Sequence, residues 1–334
     1  MTKTDSIPRV FTKDLEVANQ PAARPFIDSL VYKIHLMWLP GGKHFKNYVR
    51  HKWRMNHKPN TLRCSFVAVS DFLAFYSAFG KRELQGIVRD DLEAYIEHLQ
   101  DRGLKVTTVI TRLKSLYAFL RYLIEQDIID ASILKRKIKL REPDFLPRAI
   151  VPDDVRKILS AIERPRDRAL VLVLLRTGMR IGEVLNLTMN DIDLRDRKIH
   201  IYEGEKNCLG RVVYLSDDAL MALGIWLKGR DKTKEYLFYG ISKQLCYTSA
   251  HKTFARYLRE TGLQNKGHTI HSLRHTFASE LLNAGMRLEC LQLLLGHHDI
   301  EITRRYARLT DKSREEEYFR AMEIIERGGI RGDY

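Results

Sequence analysis

Cysteine is scarce in this 334-residue chain. Cys64, Cys208, Cys246 and Cys290 are widely spaced and form no C-x-x-C pair, which argues against both a disulfide framework and a zinc site. Reduced cytoplasmic thiols are the simplest reading. Long apolar runs are missing too: no stretch reaches the roughly 18 residues that span a bilayer, and Met1 to Val10 is polar with no apolar signal core. A soluble, cytoplasmic protein with no membrane partner is expected. Internal repeats and low-complexity tracts are absent. So is H-E-x-x-H: His271 and His275 stand at i,i+4, but Ser-Leu-Arg lies between them, and an arginine wedged there repels a cation. No metal and no other cofactor is expected.

Acidic residues are outnumbered. Against 57 Lys+Arg there are 42 Asp+Glu, a formal charge of +15. Such a balance suits a polyanion partner, of which nucleic acid is the commonest. The excess is uneven: 26 basic against 16 acidic residues over 1–150, and 31 against 26 over 151–334. A strongly basic first half fits a DNA-gripping module, and the milder second half fits more specialised work. The length suggests two domains, and 44% hydrophobic residues suffice for sizeable cores.

Residues 1–58 read as a loosely organised extension of uncertain role. Pro8, Pro21, Pro25, Pro40 and the Gly41-Gly42 pair interrupt them, and Phe26–Leu39 is apolar enough for a short helix. The basic cluster from Lys43 to Arg54 is either a phosphate contact or a solvated surface. Over 59–130 three helices are expected, Thr61–Phe79, a second from Arg89 closed by Gly103, and Thr107–Gln126, each with apolar residues at 3–4 spacing. They form a small helical bundle. Residues 131–150 read as a linker. Lys135, Arg136, Lys137, Lys139 and Arg141 fall there with no acid between Ala131 and Arg141. They make either a solvated tether or a basic strap across a DNA backbone, and the net charge favours the strap.

Residues 151–311 read as a mostly helical domain with a strand insert. A very apolar helix over Arg166–Thr177 ends at Gly178, and Arg180 begins another. Asp191–Tyr202 alternates as strands, with Arg211–Leu215 as partner. Helices follow at Asp217–Lys228, Ser249–Thr261, His271–Ala284 and Leu288–Leu295, and a shorter one holds Tyr306. The tail, 312–334, carries an amphipathic helix from Lys312 to Arg327, suited to docking on a neighbouring copy or on its own domain.

Several side chains in this second half suit phosphate chemistry. Arg180 stands at a helix start, where backbone amides also favour an anion, with Glu183 one turn on to orient it. Lys206 lies in the turn between the strands, either solvated or dropped into a DNA groove as a proton donor. His271 and Arg274 share one helix face. His297 follows Gly296. Tyr306 sits among Arg304, Arg305 and Arg308, a field that favours a phenolate over its free pKa of about 10. Together they make a phosphate-handling site with a tyrosine nucleophile.

The strings T-G-M-R-I-G-E-V-L-N-L (Thr177–Leu187), H-S-L-R-H-T-F-A-S (His271–Ser279) and L-L-G-H-H (Leu294–His298), with Thr303 and Tyr306, resemble the tyrosine recombinase (phage integrase) family, close in pattern to its Xer-type members. The resemblance covers about 150–310 and, less strongly, 59–130. It implies a mainly α fold with a small antiparallel β-sheet: an N-terminal helical core-binding (SAM-like) domain and a C-terminal catalytic domain, joined at 131–150 into a C-shaped clamp on double-stranded DNA. By its motifs, Arg180 and Arg274 grip the scissile phosphate, with Glu183 supporting the first. Lys206 is general acid to the leaving 5′ oxygen, although G-E-K-N-C-L-G-R departs from the turn usual there. His271 assists proton transfer from the nucleophile, His297 hydrogen-bonds the phosphate, and Tyr306 attacks to form a 3′-phosphotyrosine without metal or ATP. The family implies a homotetramer on two duplexes. Phage or transposon integration and chromosome-dimer resolution both stay open, as do a type IB topoisomerase-like activity and a catalytically silent DNA-binding relative.

Overall fold

Pro59, Gly103, Gly178 and Gly296 punctuate the chain as helix starts and stops, and the elements between them follow that punctuation. The computed structural model describes residues 23–142, 148–202, 210–241, 243–297 and 299–307, with 318, 319 and 322. The chain divides between residues 144 and 145 into two units, each with its own core. The described residues include no helix long and apolar enough to cross a membrane.

The first unit is all helical: α1 (Ala23–Leu36), α2 (Gly42–Arg54), α3 (Pro59–Ala78), α4 (Arg89–Asp101) and α5 (Val106–Glu125). Pro59 opens α3, where its missing N–H costs nothing. α3 and α5 pack along each other, and the remaining helices dock on them. Residues 23–54 are therefore no loose lead-in. α1 buries Phe26, Ile27, Leu30 and Ile34, and α2 buries Phe45, Tyr48 and Val49, in the same core as Phe72, Tyr95 and Phe119. The apolar stripe of α2 is narrow and hidden among seven basic or histidine residues, so charge masks its period.

The start of the expected linker is likewise part of this unit. Ile133, Leu134, Ile138 and Leu140 pack against its core, and the Ile138 N–H donates to the Tyr117 hydroxyl at 2.8 Å. The apolar residues alternate with Lys135, Arg136, Lys137, Lys139 and Arg141, all of which are exposed. Residues 143–147 lie outside the described residues.

The second unit contains α6 (Pro152–Ala161), α7 (Pro165–Thr177), α8 (Ile181–Leu185), β1 (Ile192–Asp193), β2 (Lys198–Ile201), β3 (Arg211–Tyr214), α9 (Asp217–Gly229), α10 (Tyr247–Glu260), α11 (Ile270–Asn283), α12 (Leu288–Leu295) and α13 (Ile300–Ala307). α7 is apolar on every side from Ala169 to Leu175 and is buried between α9 and α11, as a helix without a polar face must be. The strands form one antiparallel sheet in the order β1-β2-β3. In its register Ile199 faces Val213 and Ile201 faces Arg211. Directly opposed residues share a face, so Arg211 shares the inward face with Ile199, Ile201 and Val213. A second, smaller core joins α11, α12 and α13 through Phe277, Ala278, Leu282, Leu291, Leu295 and Tyr306. The expected tail helix lies outside the described residues apart from 318, 319 and 322.

Candidate active site

Two glycines end two helices here, and three arginines gather at one of those ends. Gly178 closes α7 at φ 60°, and a Cβ there would fall 2.2 Å from a Phe277 ring carbon. The chain can then turn at once into α8. Arg180 caps that helix, and the Glu183 carboxylate accepts both its backbone N–H at 2.8 Å and its Nη1 at 3.0 Å. Gly296 closes α12 at φ 61°. The last carbonyls of a helix have no partner inside it and carry the negative end of its dipole. At α12 they accept from arginines: Leu294 O from Arg211 Nε at 2.9 Å, Leu295 O from Arg274 Nη2 at 2.7 Å, and Gly296 O from Arg180 Nη2 at 3.2 Å. The L-L-G-H string is thus a helix C-terminus that organises three cations from three distant parts of the chain.

Glu183 is the shared anion. Besides Arg180 it receives both terminal nitrogens of Arg211, Nη1 at 3.0 Å and Nη2 at 2.6 Å. Burial alone would raise its carboxyl pKa, but the hydrogen bonds and charge of Arg211, joined by Arg180, outweigh burial and hold it below the ordinary value. Three guanidinium groups against this one carboxylate leave an excess of positive charge.

Arg274 is 2% exposed. It donates to the carbonyls of Gly178 and Leu295 and, at 2.9 Å, to His297 Nε2. Among the described residues no carboxylate forms an ion pair with it. Burial, then the nearby Arg180 charge, pushes its pKa down to about 10, with Tyr306 and Glu183 opposing. It therefore stays a cation at neutral pH, desolvated and held by neutral acceptors. These acceptors fix the plane of the guanidinium before any anion arrives.

His297 accepts from Arg274 at Nε2, so its ring proton sits on Nδ1, which pairs with Thr303 Oγ1 at 2.9 Å. Its ring lies parallel to that of Tyr306, 5° apart with centroids at 6.4 Å. Tyr306, on α13, is 4% exposed. Its hydroxyl pairs with His275 Nδ1 at 2.7 Å. His271, one turn before His275 on α11, is exposed and meets the His275 ring edge-on at 4.8 Å.

Arg180, Glu183, His271, Arg274, His297 and Tyr306, scattered over 127 positions of sequence, thus stand in one connected network. Lys206 lies outside the described residues. The basic residues from Lys135 to Arg141 belong to the first unit. Sequence reading missed Arg211, whose signal was an arginine at an inward position of a strand whose other inward residues are apolar. It named His275 only in setting aside a metal at His271 and His275, and did not connect it with Tyr306. Among the described residues no group of three His, Cys, Asp or Glu is placed to hold a metal ion.

The phage integrase family matches residues 148–313, and the phage integrase N-terminal SAM-like domain matches residues 45–127, which takes in α2 from Phe45 onward. A tyrosine recombinase XerC of Roseiflexus sp. (strain RS-1) is 30% identical over 273 residues, covering 77% of this chain and 86% of that protein. Two solved structures share the fold. The integrase of transposon Tn1549 bound to circular intermediate DNA has a TM-score of 0.68 at 21% identity, covering 85% of this chain and 99% of that one. The XerH site-specific recombinase bound to palindromic difH substrate has a TM-score of 0.67 at 21% identity, covering 88% and 94%. At the identity and coverage of the XerC relative, with the phage integrase match over 148–313, the chain belongs to the tyrosine recombinase (phage integrase) family.

Proposed function

We propose that this protein is a site-specific DNA recombinase in which Tyr306 attacks a phosphodiester held by Arg180 and Arg274. The observation that carries this reading is the position of Arg274. It is a buried cation with no ion-paired carboxylate among the described residues, joined through His297 to the pocket that holds the phenol. A site of that kind favours a group whose negative charge grows during reaction.

The steps balance without a redox partner. The Tyr306 oxygen attacks phosphorus, and the proton it loses ends on His271. The bond from phosphorus to the 5′ oxygen breaks, and that oxygen leaves with a proton from Lys206. The products are a 3′-phosphotyrosine and a free 5′ hydroxyl. Attack by the 5′ hydroxyl of another strand reverses the chemistry and restores the phenol. The phosphodiester bond survives as a protein–DNA ester, so ATP is not required, and the guanidinium groups take the charge-neutralising part that a metal ion plays in other phosphoryl transfers. His297 donates to a phosphate oxygen when Nε2 carries a proton, with its bond from Arg274 released.

The exposed residues Lys135, Arg136, Lys137, Lys139 and Arg141 strap the DNA backbone, the helical unit grips the duplex, and a cytoplasmic tetramer on two duplexes exchanges strands. Binding selection from a random duplex library provides the target site. A plasmid carrying two such sites then gives recombinant circles if the reading is correct. Relaxation of supercoils with no recombinants from two-site plasmids would instead establish a topoisomerase.

A further inference from the structure

The hydroxyl of Tyr306 is held by a residue that the reaction above does not use. We propose that His275 is a positioning residue for strand cleavage: its Nδ1 accepts the Tyr306 hydroxyl hydrogen and so fixes the direction in which the phenol oxygen presents its lone pairs. This rests on the reading of Tyr306 as nucleophile and extends it.

The geometry supports an acceptor role. The two atoms are 2.7 Å apart, a short, well-formed hydrogen bond. A phenol C–O bond otherwise rotates, and an oxygen whose hydrogen points in a random direction rarely offers a lone pair in line with a phosphorus. With the hydrogen committed to Nδ1, the lone pairs point away from His275. Packing and the Arg274–His297–Thr303 chain also tie α11 to α13. Phe277 and Ala278 of α11 and Leu291 and Leu295 of α12 form the apolar wall around Tyr306, which sets the ring plane but not the O–H direction.

The protonation state of His275 decides the sign of this contact. A neutral imidazole with its proton on Nε2 accepts at Nδ1. An imidazolium would donate instead and occupy the lone pair needed for attack. Burial, then the charges of His271 and Arg274, pushes the His275 pKa down to about 4. The ring is therefore neutral at physiological pH, as the accepting role requires. Among the described residues, the ionisable groups around it are His271 and Arg274 on its own helix and Tyr306 on α13, with His297 beyond Arg274 and Tyr306.

The test compares single-turnover formation of the covalent protein–DNA adduct in the full chain, on nicked duplexes carrying the selected site. His275→Phe keeps a ring and removes every acceptor. His275→Asn keeps an acceptor oxygen near the place of Nδ1. Loss of one hydrogen bond that orients the attacking atom predicts adduct formation slower by about tenfold or more in His275→Phe, with DNA affinity unchanged, and recovery to within about threefold of wild type in His275→Asn. A His275→Phe rate within about twofold of wild type, or faster, would overturn the proposal, as would His275→Asn being as slow as His275→Phe. If His275→Phe does not fold, His275→Ala with and without added imidazole replaces it: recovery of rate with imidazole supports the role, and its absence refutes it. Tyr306→Phe, run in parallel, separates the two readings. Adduct formation by that variant removes the nucleophile assignment itself, whereas an inert Tyr306→Phe beside a fully active His275→Phe removes only the positioning role.

Discussion

Glu183→Gln removes a charge and almost no volume from the point where Arg180 and Arg211 meet. The carboxylate side chain is 1% exposed, that of Arg211 8% and that of Arg180 17%. It accepts two bonds from Arg211 and two from Arg180, one of them from the backbone. The amide turns one of these acceptors into a donor facing a guanidinium. Hydrogen bonds to charged groups contribute about 1.5–3 kcal/mol each but do not add. Stripping one partner from a buried ion pair costs about 3–5 kcal/mol, because the other charge stays buried without compensation. We expect a loss of about 3–5 kcal/mol, a large share of the roughly 5–15 kcal/mol that holds a domain together. The assay is native-state hydrogen exchange of the buried α7 amides, which report opening of the second unit. Much of the cost is a stranded Arg211, so Glu183→Gln combined with Arg211→Met should be less damaging than the two single changes together, with a coupling of about 1–3 kcal/mol. The acid dependence has a definite sign. A carboxyl whose folded pKa is depressed stabilises above its unfolded value, here 4.5, and that stability is lost as pH falls through the folded value. The gap between wild type and Glu183→Gln should therefore be constant near neutrality and close only below about pH 4.5. A loss under about 1 kcal/mol, or strict additivity with Arg211→Met, would refute the idea that Glu183 is the shared counter-ion.

Other outcomes follow from the same geometry. Gly178→Ala puts a methyl 2.2 Å from the Phe277 ring at φ 60°, and thermal unfolding should show a loss of about 2–4 kcal/mol. Arg274→Lys keeps the charge but cannot reproduce the fork that reaches Gly178, Leu295 and His297, so adduct formation should fall about a hundredfold or more while DNA affinity changes little. The folded pKa of His275 is depressed to about 4 from 6.5, so the unfolded chain takes up the proton first and stability should drop as pH falls from about 6.5 towards 4. Melting curves of His275→Asn should lose that part of the decline. Strand cleavage should proceed unchanged in the presence of a strong chelator of divalent cations.

Much of the site was legible because its residues sit beside strong local signals. Gly178 and Gly296 are helix stops at positive φ, and the reactive residues follow or flank them. α7 and α11 carry clear apolar patterns, so the sequence alone places Arg180 at a helix start and Arg274 on a helix face. Arg211 was not legible in the same way. A four-residue strand offers little period, and its arginine becomes meaningful only when the register sets it opposite Ile201, within reach of Glu183 twenty-eight positions away. His275 was legible as a histidine but not as a partner of Tyr306, because that contact depends on how α13 folds back onto α11. α2 was missed since basic residues surround its few buried ones. Ile133, Leu134, Ile138 and Leu140 were overlooked for a similar reason, as the lysines and arginines between them dominate the composition.

The most direct measurement maps the attached residue. The full chain is incubated with nicked duplexes carrying its selected site, the protein–DNA adduct is isolated and digested, and the modified peptide is sequenced by mass spectrometry. A nucleotide joined through its 3′ phosphate to Tyr306, with no adduct from Tyr306→Phe, is the expected result. An adduct on any other side chain, or one that persists in Tyr306→Phe, would contradict the convergence of these arginines and this phenol on a single phosphodiester.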